Sequence, residues 1–315
     1  DSFHDLIIWL DSKRLLYLAK MKRQKPLYKP FRFFLIDFLL TWIPLWLAVA
    51  GINRGWFQFN VLFMAVAGIS AVPAALIMIY TSGNRELVRD FWRRAIDPTL
   101  ISGLWWAVTL LFVPLLMGLS VLLSLALGDS LSQLQPSGRL LSAPLGFVLL
   151  HLLYGPLPEE LGWRGYGIDS LRSRMNGFWT SICFGVIWPL WHLPLFFIPG
   201  SYQQALLSQP VPLFFYITGM IPQALIMNWI YFHTNRSVLS AVLFHFMINF
   251  VGEAFHISQL AKSIGAVLYF CAAILILIID RDTFFRLEYP VGLEQRLRGP
   301  EAQRRDRRSR IEGSG

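Results

Sequence analysis

Three charged residues, Glu159, Glu160 and Arg164, lie close together in a chain that is otherwise mostly apolar. A charged side chain at the centre of a bilayer costs at least about 2.5–3.5 kcal/mol, so such residues usually pair with each other or line a functional cavity. Glu160 and Arg164 are four residues apart, so on a helix they share a face and can form an ion pair. That pair leaves Glu159 free, and a free carboxylate in a partly dry cavity suits a general base for proton transfer.

Polar residues in two later apolar runs add to this set. His192 stands between Pro189 and Pro194, and prolines favour a bent or broken helix whose backbone faces a cavity. His245 and Asn249 are four residues apart, so they share a helix face and offer the two convergent donors that an oxyanion needs. Each feature alone also fits a simpler role, as a salt-bridged helix end near the headgroups or as polar contacts between packed helices.

The composition is that of a polytopic membrane protein. Of the 315 residues, 55% are hydrophobic and 15% are charged, whereas a soluble domain carries about 25% charged residues. The net charge of +9 comes from basic residues at both termini and in alternate loops, so we expect anionic lipid at the basic termini and no nucleic acid. Cys183 and Cys271 lie in apolar runs and are expected to be buried, without a disulfide framework.

Eight apolar runs, each near the roughly 20 residues that a spanning helix needs, predict an all-helical membrane protein with about eight transmembrane helices. We place these runs at 33–52, 56–80, 101–127, 143–163, 177–199, 210–232, 237–252 and 260–280. With the N-terminus in the cytoplasm, only three of the 28 Lys and Arg residues fall in outside loops, namely Arg54, Arg139 and Lys262. This distribution predicts that both termini are cytoplasmic.

The predicted membrane domain, residues 33–280, is flanked by two polar segments. Residues 1–32 alternate apolar and basic residues, which indicates an amphipathic helix on the membrane surface or against the protein's own cytoplasmic face. Residues 281–315 form a basic tail whose end, 311–315, is typical of an expression remnant. Asp37 is a further acid within the first apolar run, and the sequence indicates no role for it.

Taken together, the motifs are far more specific than any one of them. Glu-Glu-x-x-x-Arg at 159–164, aromatic-x-x-x-His at 188–192 and His-x-x-x-Asn at 245–249 occur in this order along the chain. This pattern resembles the CAAX protease and bacteriocin-processing family of intramembrane endopeptidases, which includes the type II CAAX prenyl endopeptidases. The segment Phe91–Pro98 is also similar to this family, and the resemblance covers roughly residues 85–255.

The resemblance implies a peptide hydrolase whose active site lies in a membrane cavity, reached from the cytoplasm or laterally from lipid. Glu159 matches the acid that activates water, assisted by His192. His245 and Asn249 match the donors that stabilise the tetrahedral oxyanion. The implied substrates are prenylated C-terminal tails or other membrane-associated peptides.

Three further positions match supporting residues of this family. Glu160 and Arg164 match an ion pair, and Trp188 stands where the family usually has Phe. We favour a mechanism without a metal or other cofactor. In a zinc mechanism Glu159 would be a metal ligand, so Glu160 would have to be the base, although Glu160 is expected to be paired with Arg164. The two-His, one-Glu zinc ligands would then be Glu159, His192 and His245.

Two hypotheses from other functional classes fit the same residues. A member of this family without proteolytic activity would act as a membrane scaffold or sensor that binds a partner in the cavity. A transporter would use the buried Glu and His residues as a proton relay, but such folds usually contain internal repeats and the sequence shows none. The expected location is the cell membrane in a prokaryote or the endoplasmic reticulum in a eukaryote.

Overall fold

The computed structural model describes residues 27–52, 54–55 and 57–286, and this part of the chain contains α-helices and no β-strand. The helices are α1 (Pro30–Ile52), α2 (Phe57–Gly68), α3 (Ala71–Tyr80), α4 (Arg85–Ile96), α5 (Gly103–Ala126), α6 (Gly138–Ser142), α7 (Pro144–Leu153), α8 (Pro156–Gly162), α9 (Ile168–Arg172), α10 (Gly177–Trp191), α11 (Tyr202–Leu206), α12 (Pro210–His233), α13 (Val238–Ala254), α14 (Gln259–Ile279) and α15 (Arg281–Phe285). The prediction of an all-helical protein is confirmed. The predicted amphipathic segment, apart from its last residues, and most of the basic tail lie outside the described residues.

Five helices of the described part are long and apolar enough to cross a membrane. They are α1, α5, α10 with the 3₁₀ turn that follows it, α12 and α14. Helices α2 and α3 form a sixth candidate, bent by 50° where they meet. The chain is therefore an integral, multi-pass membrane protein, and these helices agree with six of the predicted runs.

The other two predicted runs have a different form. The run 143–163 is not one helix, because the chain breaks between α7 and α8. Gly155 at this break has a φ of +118°, a region that side chains other than glycine rarely enter, and Pro156 then begins α8. The run 237–252 forms α13, an apolar helix of 17 residues. The count of eight spans and the cytoplasmic position of both termini therefore stay predictions.

Helix α8 is largely buried in the bundle, where it packs against both α3 and α13. Gly162 permits the close approach to α3, because a Cβ at this position would collide with the backbone of Ala71. Helix α13 also packs on α5, and α12 packs on α10 and α14. The expectation of buried cysteines is wrong for Cys271, which is exposed on α14, and Cys183 of α10 is only half-buried. A thiol on an apolar helix that can cross a membrane needs no protein cover.

A network of charged residues, here called the ion cluster, joins α4 to α9 and to the turn between α12 and α13. Arg94 Nε lies 2.7 Å from Asp90 Oδ2, and Arg94 Nη1 lies 3.4 Å from Asp169 Oδ2. Arg236 binds both acids, at 3.0 Å for Asp90 and through a very short contact for Asp169. Since all four residues are buried or nearly so, the cluster fixes α4 against the centre of the bundle.

Candidate active site

The predicted acid motif lies on a helical stretch with one wide turn inside it. Helix α8 passes directly into a π turn at Trp163–Gly167, and α9 then continues to Arg172. Single π turns inside helices are often found at functional sites. All five residues of the turn are buried, so the polar backbone groups that it frees must find partners within the protein.

Arg94 of the ion cluster supplies those partners. Its Nη1 atom donates to the carbonyl oxygen of Arg164 at 2.9 Å, and its Nη2 atom donates to that of Gly165 at 2.8 Å. The hydroxyl of Tyr231 also donates to the Arg164 carbonyl, at 2.9 Å. The planar fork of a guanidinium suits two neighbouring acceptors, so Arg94 fixes the backbone immediately after the two glutamates.

Glu160 and Arg164 form the ion pair that their spacing predicts. Arg164 Nη1 donates to both carboxylate oxygens of Glu160, at 3.0 and 2.8 Å, and both side chains are fully buried. The guanidinium also donates to Asn228 Oδ1 at 3.3 Å and lies 4.6 Å from the ring centre of Phe184. Glu160 is therefore bound by Arg164, and it is not part of the cavity lining described below.

His245 of α13 lies between the two glutamates. Its Nδ1 atom is 2.9 Å from Glu160 Oε1, and its Nε2 atom is 3.9 Å from Glu159 Oε2. A carboxylate accepts hydrogen bonds, so Nδ1 carries a proton and Nε2 is the atom nearer to Glu159. The edge of the imidazole also meets the ring of Trp188, with ring centres 5.3 Å apart.

Glu159 differs from Glu160 because one of its buried oxygens accepts no hydrogen bond from the described residues. Within the described residues, Glu159 Oε2 makes no hydrogen bond, although the residue is only 6% exposed. Its carboxylate meets a cavity of about 580 Å³. Five of the predicted site residues line this cavity, namely Glu159, Trp188, His192, His245 and Asn249.

Gly155, at the break before α8, lies close to side chains of both α8 and α13. A Cβ atom at Gly155 would lie 3.5 Å from Asn249 Nδ2 and 3.7 Å from Glu159 Oε1. The break between α7 and α8 therefore places the backbone next to both side chains. The cavity thus collects polar groups from α8, from the end of α10 and from α13.

His192 ends α10, and its orientation is set by its own helix. Its Nδ1 atom lies 3.0 Å from the carbonyl oxygen of Trp188. Because a carbonyl accepts, Nδ1 carries the proton and Nε2 keeps its lone pair. The ring also meets Trp191 edge-on, with centres 4.8 Å apart. His192 can therefore accept a hydrogen bond from water through Nε2.

The zinc alternative has a specific ligand set, which can be compared with the geometry. Among the described residues, no three His, Cys, Asp or Glu side chains converge as a metal site requires. This holds for Glu159, His192 and His245, although all three line the cavity. We therefore derive no catalytic step through zinc, and the choice between the two mechanisms is tested by experiment below.

The polar mouth of the cavity lies at the loops that the charge count places outside the cytoplasm. Arg139, Glu253, Gln259 and Lys262 line it together with the site residues. Arg139 and Glu253 are exposed, whereas the ion cluster is not part of the cavity lining. A cytoplasmic entrance through this mouth would therefore require the opposite orientation from the predicted one, with the termini outside.

Sequence reasoning missed three contributors to the site. It did not find the contact between Glu160 and His245, because nothing local predicts which face of α8 meets α13. It noted the segment that contains Arg94 but not its hydrogen bonds to the π turn. It also missed Asn228, which binds Arg164 and donates to Ser181 Oγ at 2.9 Å; an amide in the middle of an apolar helix was the available signal.

Comparison with known proteins adds two similarities. Residues 141–251 match the family model described as "Type II CAAX prenyl endopeptidase Rce1-like". CAAX prenyl protease 2 of Methanococcus maripaludis is 36% identical over 263 residues, which cover 82% of this chain and 96% of that protein. The matched family segment contains all the predicted site residues.

Proposed function

The chain belongs to the Rce1-like type II CAAX prenyl endopeptidases and is an intramembrane protease, and from this premise we propose how its cavity hydrolyses a peptide bond. The observation that carries the proposal is the convergence of Glu159, His192, His245 and Asn249 on one cavity from three separate helices. Membership of a protease family gives no support to the scaffold and transporter hypotheses.

Glu159 is the base that activates water. Its carboxylate takes a proton from a water molecule in the cavity, and His192 Nε2 accepts a second hydrogen bond from the same water. The oxygen attacks the carbonyl carbon of the peptide bond, and the negative charge moves to the carbonyl oxygen. When the C–N bond breaks, Glu159 returns its proton to the leaving amine. Oε2 of Glu159 accepts no hydrogen bond from the described residues, which supports this role, since a carboxylate saturated with hydrogen bonds would be a poor base.

His245 and Asn249 stabilise the oxyanion. Asn249 can donate directly through its amide. His245 already uses Nδ1 toward Glu160, so donation from Nε2 requires the doubly protonated imidazolium. The carboxylates of Glu159 and Glu160 on either side offset that positive charge. Arg164 then keeps Glu160 in place without taking part in the reaction.

The proposed substrate is a prenylated protein or another peptide held at the membrane. The name of the Methanococcus relative is that of a protease for prenylated proteins. The cavity fits a peptide with an apolar attachment, because it is lined by apolar side chains such as Val113, Met117 and Ile248 beside the polar site. Anionic lipid at the basic termini remains a separate expectation.

The test is cleavage of a membrane-tethered, prenylated peptide by purified protein in liposomes. We expect Glu159→Gln to lower kcat by about 10²- to 10⁴-fold, as removal of a general base does. Glu86→Gln is the control, since Glu86 lies half-exposed on α4, is not part of the cavity lining and pairs with Arg89. Full activity of Glu159→Gln would remove this residue as the base.

A chelator separates the two mechanisms in the same assay. For the metal-independent reaction we expect unchanged rates after treatment with a strong zinc chelator and no stoichiometric metal in the purified protein. Loss of activity on chelation, with recovery on adding Zn²⁺, would instead establish a zinc-dependent mechanism.

A further inference from the structure

Asp37 is a fully buried acid in the middle of α1, far in the chain from the site. An acid within a membrane span is costly and usually has a functional partner. Its helix lies outside residues 141–251, the segment that matches the family model. The proposed reaction does not use it.

The carboxyl group of Asp37 receives hydrogen bonds from two tryptophans on different helices. Trp163 Nε1 donates to Oδ2 at 3.0 Å, and Trp191 Nε1 donates to Oδ1 at 3.3 Å. Ser70 Oγ donates to Oδ1 at 3.4 Å and also contacts Thr41 Oγ1 at 2.5 Å. Both oxygens of the acid are thus engaged, one with each indole.

The two tryptophans adjoin the proposed catalytic residues. Trp163 begins the π turn, one helical turn after Glu159. Trp191 directly precedes His192 and touches its ring. The two indoles also meet each other edge-on, with centres 5.3 Å apart and planes at 86°. Asp37 therefore links the element that carries the base with the element that carries its assisting histidine.

A second residue of α1 supports the same link. Trp42 Nε1 donates to the backbone carbonyl of Trp191 at 3.2 Å. The end of α10 is thus bound to α1 through both its backbone and its side chain. Since α10 ends at this point, its last turn has free carbonyl groups, and α1 provides a donor for one of them.

Building on the proposed function, we propose that Asp37 is a positioning residue that sets the distance between Glu159 and His192 by holding Trp163 and Trp191. The acid touches neither substrate nor reacting atoms. Its effect passes through the two indoles, so it changes how well water is placed between base and histidine. Small displacements of catalytic groups by distant substitutions can cost about 10²-fold in rate.

The first test is Asp37→Asn, which keeps the size of the side chain. The amide has one oxygen, so it can accept from one indole, and its NH₂ group faces the N–H of the other. We expect kcat to fall about 10-fold or more while KM stays within about 2-fold, because substrate binding is unaffected. An unchanged kcat in the folded variant would overturn the proposal.

A double-mutant cycle tests whether the effect passes through the tryptophans. In the Trp163→Phe/Trp191→Phe background both donors are gone, so adding Asp37→Asn should lower kcat by less than about 2-fold. An equal loss in both backgrounds would show that Asp37 acts by another route and would overturn the proposal. If Asp37→Asn fails to accumulate in membranes, Trp191→Phe alone tests the same hydrogen bond, and an unchanged kcat there has the same meaning.

Thr109→Val is the matched control. Thr109 is a fully buried polar residue of α5 whose hydroxyl has no hydrogen-bond partner in the described part of the chain. Its replacement should leave kcat unchanged, which shows that loss of a buried polar group in a span is not itself the cause. Failure of the wild-type protein to cleave any peptide would contradict the proposed function, whereas the outcomes above contradict only the role of Asp37.

Discussion

The ion cluster and the catalytic cavity both contain acids buried within the helix bundle, but the two regions provide them with different partners. In the ion cluster, Asp90 and Asp169 each accept hydrogen bonds from the guanidinium of Arg236, and Arg94 lies within ion-pair distance of both. In the cavity, one oxygen of Glu159 accepts no hydrogen bond from the described residues, and its nearest charged group is His245 Nε2 at 3.9 Å. Since an unpaired buried polar group costs about 1–3 kcal/mol, the unpaired acid of the cavity is the more expensive arrangement.

This difference shows how the protein separates structure from chemistry. The acids of the ion cluster are fully engaged by guanidinium groups, so they have no free hydrogen-bonding capacity for a substrate. Glu159 keeps a free oxygen and therefore a capacity to react. Glu160, its neighbour in sequence, belongs with the saturated group, because Arg164 and His245 both bind it. Two identical adjacent side chains thus have opposite roles, decided by what each meets in space.

The largest effect on stability is expected from the saturated glutamate. Glu160→Gln leaves the buried guanidinium of Arg164 without a counter-charge, which typically costs about 3–5 kcal/mol. Glu159→Gln removes an acid without a full set of partners, so its free energy of unfolding should stay within about 1 kcal/mol of wild type or rise. Unfolding of the two variants in detergent micelles measures this contrast, and equal losses would abolish the distinction between the two acids.

A smaller loss is expected when Arg94 is replaced by lysine. An ammonium cannot serve the carbonyls of Arg164 and Gly165 and the carboxylate of Asp90 together, so we expect a loss of about 1–3 kcal/mol in unfolding free energy. Arg93→Lys is the control on the same helix, because Arg93 is 65% exposed and surface pairs contribute about 0–1 kcal/mol. The same unfolding assay applies, and equal effects at both positions would show that the π turn does not depend on Arg94.

The smallest effect is expected from pH. Burial raises the pKa of the Asp90 carboxyl, but the guanidiniums of Arg94 and Arg236 outweigh it and hold the pKa below its ordinary value. Such a group stabilises the fold fully above its unfolded pKa of about 3.9, and this contribution is lost as the pH falls through the folded value. The midpoint of thermal unfolding should therefore fall more steeply below about pH 4 in wild type than in Asp90→Asn. Parallel curves for the two proteins would show that the pKa of Asp90 does not differ between the folded and unfolded states.

The parts of the site that could be predicted from sequence are those set by spacing within one helix. A separation of four residues predicted the Glu160–Arg164 pair and the shared face of His245 and Asn249, because helix geometry fixes these distances. The break at Gly155 was also readable, since Gly followed by Pro is a turn signal. The apolar run of 143–163 concealed it, because hydropathy measures composition and not backbone conformation.

The remaining contacts depend on which helices become neighbours. The contact between Glu160 and His245 joins residues 85 positions apart, and the contact between Asp37 and Trp191 joins residues 154 apart. Periodicity gives each helix a polar face but does not say which other face it meets. The membrane orientation also stays a prediction, because the charge distribution places the exposed polar lining of the cavity outside the cytoplasm, whereas one of the two expected access routes is cytoplasmic.

The binding of Glu160 by both Arg164 and His245 has a consequence for biosynthesis. Arg164 reaches this acid from the same helix, but His245 arrives only when α13 is in place. A nascent chain that has inserted α1 to α12 therefore carries the acids without their histidine partner and cannot cleave neighbouring membrane proteins. The enzyme becomes competent only after α13, which carries His245 and Asn249, has left the ribosome and packed against α8.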